Sequence, residues 1–144
     1  MKRIVTRTAL AAAGALLGVV GGALMLAPQD FLATSHVVIE SDPGLMSELA
    51  APAGLLLVAG VLMVSGAIRI RLADRALVAG AIVYGSYGAG RVISMMLHGL
   101  PSGALVAATV IELSVAAVLT GLWRSGLSRK PRLDADDDLR GAIV

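Results

Sequence analysis

Apolar residues fall into four long runs along the chain, and the segments between them are short and polar. The runs cover about residues 8–27, 43–68, 74–97 and 102–123, each close to the roughly 20 residues a helix needs to cross a hydrocarbon core. Pro28 stops the first run. Asp42 followed by Pro43 reads as a helix N-cap with proline at the first helical position. Gly99 and Pro101 end the third run. Lipid offers no partner for backbone N–H and C=O groups, so helices are the expected solution. The short alternating segments of a β-barrel are missing from the sequence.

All connectors except 28–42 are short, so successive helices should be antiparallel. The expected fold is all-α: a polytopic membrane protein with an up-down-up-down bundle of four transmembrane helices. Residues 1–127 form that domain, and residues 128–144 form a charged tail without regular structure. The first apolar run exceeds the roughly 7–15 residues of a signal-peptide core, so it reads as an uncleaved span.

Composition narrows the class further. Hydrophobic types make up 57% of the 144 residues and charged types 15%, and mean hydropathy is +0.85. Such a chain is too apolar to stay disordered. With no cysteine, disulfide scaffolds, thiolate metal sites and cysteine nucleophiles drop out. His36 and His98 are the two histidines and lack a carboxylate cluster at ligand spacing, so no metal and no cofactor are expected. Phosphate loops, nucleophile elbows and HExxH are also missing.

The net charge of +2 does not point to nucleic acid, because the basic residues flank the apolar runs. Lys2, Arg3 and Arg7 come before the first run. Arg69, Arg71 and Arg75 lie between the second and third. Arg124, Arg129, Lys130, Arg132 and Arg140 follow the fourth. The other two connectors carry neither lysine nor arginine. The positive-inside rule then predicts a cytoplasmic (inner) membrane protein with both termini cytoplasmic. The segment 31–41 and the Gly99–Pro101 turn face outward. The basic stretch of the tail should lie on anionic headgroups, and Asp134–Asp138 should be a solvated end.

Small residues suggest how the helices pack. Gly14, Gly18 and Gly22 recur every four residues on the first helix. Such a face serves tight packing within a bundle, or the seam of a homo-oligomer. Pro52 should kink the second helix or mark a local opening.

Of the twelve basic residues, Arg91 alone lies away from the ends of the apolar runs and outside the tail. Charged groups at that depth are costly and normally paired, and they mark functional sites by default. Glu112, on the antiparallel neighbour, falls at a similar depth, and Glu48 enters from the second helix nearer the outer surface. Arg91's planar fork suits two carboxylates. Tyr84, Tyr87, Arg91, Ser94 and His98 are spaced by three or four residues, which puts them on one stripe. Thr109 and Thr120 fall near the face of Glu112. The candidate site is therefore Glu48, Tyr84, Tyr87, Arg91, His98 and Glu112.

Several short motifs recur in a familiar order. Ala27-Pro28 with Phe31-Leu32 leaves the first helix. Ser41-Asp42-Pro43, Glu48 and Gly54 open the second. Gly66-Ala67 with Arg69, Gly90-Arg91, the Gly99–Ser102 turn and Glu112 follow. In that order the chain resembles, over about residues 3–123, the bacterial four-helix membrane family catalogued as domain of unknown function 4345. It is similar more weakly to DoxX-like four-helix proteins. Members of the first family often carry a basic residue soon after the second-helix glutamate, where this chain has Ala50 and Pro52. The resemblance implies the fold and brings no activity.

Three functional readings remain open. The first is a binding or accessory component with an outward polar pocket for a lipid or small hydrophobic ligand, with Arg91 as clamp, the glutamates as counter-charges and the tyrosines as donors. The second is a small membrane enzyme acting on a lipid or quinone-like molecule, with Glu112 as acid/base. The third is a structural partner subunit in which Arg91–Glu112 only fixes helix register.

Overall fold

The computed structural model describes residues 2–127, so the expected tail, 128–144, lies outside the described residues. Five α-helices and one 3₁₀ turn follow in order: α1 Lys2–Leu26, α2 Pro28–Ala33, α3 Pro43–Ile68, the turn Ile70–Leu72, α4 Ala73–His98 and α5 Gly103–Leu127. No strand occurs among the described residues. The fold is the all-α four-helix bundle that the pattern predicts, and α1, α3, α4 and α5 are each long and apolar enough to cross a membrane. The chain reads as a multi-pass membrane protein.

Local chemistry sets the helix ends. The Asp42 carboxylate accepts the Leu45 N–H at 2.8 Å, and Pro43 follows at the first helical position. α3 runs unbroken through Pro52. Proline has no N–H, so the Glu48 carbonyl lacks its usual donor there. The connector 28–42, expected as a loop, holds a short helix, α2, because Pro28 supplies a preset φ at its first turn. His36 ends the turn after α2 at φ +60, a left-handed conformation that histidine adopts more readily than most residues.

α1 also starts earlier than the apolar pattern implies, so Arg3 and Arg7 lie within the helix. Arg7 Nε donates to the Ala67 carbonyl at 2.7 Å. A cation at the end of α3 satisfies a last-turn carbonyl and complements the helix dipole.

α1 packs along α3, α3 against α4, and α4 along α5, whereas α1 and α5 barely touch. The largest fully buried side chains are Leu10, Met63 and Leu119, from α1, α3 and α5. Val19, Val58, Ile82 and Val110 are exposed on the outer faces, as suits a surface against hydrocarbon.

The α1 glycines do not form one free edge. A Cβ at Gly14 would stand 2.9 Å from the Gly60 carbonyl oxygen. One at Gly60 would stand 2.8 Å from the Gly14 oxygen and 3.0 Å from the Gly18 nitrogen. Gly14 therefore serves the contact between α1 and α3 within the chain and the Gly18 backbone lies beside Gly60, while a Cβ at Gly18 or Gly22 would meet open space.

Candidate functional site

The close approach of α4 and α5 builds the site. At Gly88 a Cβ would meet the Leu113 side chain at 2.7 Å, so glycine leaves that side chain room between the helices. One turn further along α4, Arg91 reaches Glu112 on α5. Its Nε donates to Glu112 Oε1 at 3.1 Å. Glu112 Oε2 also stands 3.1 Å from Nε, yet it is buried and accepts no hydrogen bond.

The pair thus meets through Nε and not through the fork. The terminal nitrogens of Arg91 make no hydrogen bond among the described residues. The Arg91 side chain is 34% exposed and that of Glu112 15%. Two polar capacities are left over at one place: strong donors on Arg91 and a buried acceptor on Glu112. Groups left over in this way call for a specific explanation.

Both residues border a cavity of about 260 Å³. Leu16, Val20 and Leu24 of α1, Leu49 and Leu56 of α3, and Ile111 of α5 make most of its wall apolar, and Phe31 and Leu32 of α2 also line it. α2 is thus part of the site as well as a connector. The sequence carries a signal for it, an apolar pair in an otherwise polar connector.

The other expected site residues divide. Tyr84 and Tyr87 line the cavity. The buried Tyr84 hydroxyl donates to the Ala13 carbonyl at 2.8 Å, so it ties α4 to α1 and is not free for a ligand. Tyr87 is half-buried, and its hydroxyl has no hydrogen-bond partner among the described residues.

Glu48 is exposed and does not line the cavity, where its neighbour Leu49 does. The structure does not bring it to Arg91. His98 is exposed too, with Nδ1 3.2 Å from the Ser94 carbonyl oxygen. It borders a separate depression shared with Arg91 and Ser94. The Thr109 and Thr120 hydroxyls donate back to Leu105 and Ala116 on their own helix. No group of three or more potential metal ligands occurs among the described residues.

Tyr84→Phe removes one buried hydrogen bond and leaves the ring in place. The Ala13 carbonyl keeps its helical donor, so the expected loss is about 1 kcal/mol. Denaturant titration in detergent measures it. A loss above about 3 kcal/mol would mean that the hydroxyl does more than tie α4 to α1.

The sequence profile of a family described as a domain of unknown function (DUF4345) matches residues 5–123. No curated protein and no solved structure matches the chain.

Proposed function

The chain belongs to the DUF4345 family, and since that membership brings no activity, we propose from the geometry of its cavity that it binds a single-chain membrane amphiphile with a carboxyl head. The observation that carries this is the pair of unused capacities at Arg91 and Glu112 on the edge of an apolar cavity. A carboxylic acid matches both: its carbonyl oxygen accepts from the Arg91 terminal nitrogens, and its O–H donates to Glu112 Oε2.

Charge favours the same head. Glu112 already compensates Arg91, so the site suits a neutral acid or a single negative charge better than a doubly charged phosphate. Two carboxyl groups side by side beneath one guanidinium share a proton readily. The Tyr87 hydroxyl is a further donor on the same wall.

The uneven distribution of arginine supports an inner-membrane placement, with the Ile70–Leu72 turn and both termini in the cytoplasm. The cavity then opens on the outer side. Its role is that of a binding or accessory component. A second reading, a purely structural tie between α4 and α5, is favoured by the Nε–Oε1 bond itself.

Mass spectrometry after gentle extraction into lipid nanodiscs tests the binding reading. The wild-type protein should carry a long-chain carboxylic acid. The double variant Arg91→Met/Glu112→Leu should lose it while remaining folded. A wild-type protein that carries none, even after hexadecanoic acid is supplied, would rule the reading out.

A further inference from the structure

The gap between α1 and α5 continues past the cavity toward the Ile70–Leu72 turn. A second cleft of about 310 Å³ lies there. Ala9, Ala12 and Ala13 form one wall, Ser114 and Val118 the other, and Leu16 belongs to both cleft and cavity. Three alanines on the α1 side keep that wall low. The one polar wall residue is already satisfied, because the Ser114 hydroxyl donates to the Val110 carbonyl at 2.7 Å.

The two spaces share Leu16 and follow one another along α1, and Arg91 and Glu112 border the first of them only. From Leu24 to Ala9 they follow α1 for about 22 Å at 1.5 Å per residue. Volumes of about 260 and 310 Å³, set one after the other along the helix, suit a hydrocarbon chain lying in the gap. Along its length the gap is flanked by two helices that barely touch, so its open side faces the lipid.

We infer that the α1–α5 cleft holds the tail of a long-chain fatty acid drawn from the surrounding bilayer, with its carboxyl head at Arg91 and Glu112. The inference rests on the binding proposed above and adds a tail site, a chain-length preference and a sideways route of entry. Octanoic acid ends within the first cavity, whereas hexadecanoic acid must extend past Leu16 into the second cleft.

The test fills the second cleft and leaves the head site intact. Ala12 and Ser114 are exposed positions, so Ala12→Phe/Ser114→Leu should fold as the wild type does. Binding of radiolabelled hexadecanoic and octanoic acid to the purified full chain gives the readout. Hexadecanoic acid should bind about threefold more weakly to the variant, because the new side chains take the space and the packing contacts its tail would have in the cleft. Octanoic acid should bind unchanged. If hexadecanoic acid binds the variant as well as the wild type, or if both acids weaken equally, the tail site is wrong while the carboxyl-binding reading stands. If neither acid binds the wild-type protein, both proposals fail together.

Discussion

Arg91→Met will destabilise the bundle by about 2 kcal/mol, and adding Glu112→Leu will return most of that loss. Methionine keeps the apolar stem of the arginine, so packing along α4 survives. What disappears is the cation beside a carboxylate whose side chain is 15% exposed. Breaking a fully buried pair from one side costs roughly 3–5 kcal/mol. Arg91 is 34% exposed, which places this pair below that range. Removing the carboxylate as well takes away the unpaired group, and a leucine there packs as its apolar neighbours do. Denaturant titration of the two variants in one detergent measures both steps. If Arg91→Met costs nothing, the ion pair contributes no stability. If the double variant is no better than the single, the loss came from other contacts of Arg91. The double variant is also the background in which loss of ligand can be read apart from loss of fold.

Gly60→Ala should cost about 2–3 kcal/mol, within the range of overpacking a closely fitted contact. The new methyl would stand 2.8 Å from a backbone oxygen on α1 and 3.0 Å from a backbone nitrogen. Backbone cannot step aside as a flexible side chain can, so α1 and α3 must separate. Gly22→Ala adds the same methyl to open space and should change stability by less than about 0.5 kcal/mol. Titrating the two variants side by side separates a contact inside the chain from a generic preference for glycine. Equal losses would mean that the close approach of α1 and α3 at Gly60 is not what constrains the position.

These outcomes bear on how far the sequence could be read. The helices were legible because lipid-scale apolar runs have few alternatives, and Asp42-Pro43 marked a helix start without ambiguity. Depth was legible too. Counting residues from the helix ends put Arg91 and Glu112 at one level, and they meet. Direction around the helix axis was not legible. Glu48 enters from a third helix, but α3 turns its glycine-lined face to α1 and leaves Glu48 exposed. Tyr84 shares a stripe with Arg91, yet its hydroxyl ends on a carbonyl of α1, an acceptor that no side-chain pattern reveals. Arg7 looked like a topological charge and also caps α3, a contact made 60 residues away along the chain. The regularity of Gly14, Gly18 and Gly22 suggested one edge, but an α-helix advances 100° per residue, and a repeat of four drifts around it. A Cβ at Gly18 or Gly22 would point clear of α3, and Gly21 is the glycine that meets α3 instead.

One asymmetry of the bundle has a mechanical side. α5 is braced by α4 and by little else, so it behaves as a lever fixed along one edge. A helix of 25 residues is about 37 Å long, and a lean of about 5° about one end carries the other through about 3 Å. That travel is close to the thickness of a methylene chain. With the proposed fatty acid in the α1–α5 gap, the tilt of this one helix would set the gap's width, while α1, α3 and α4 keep their places.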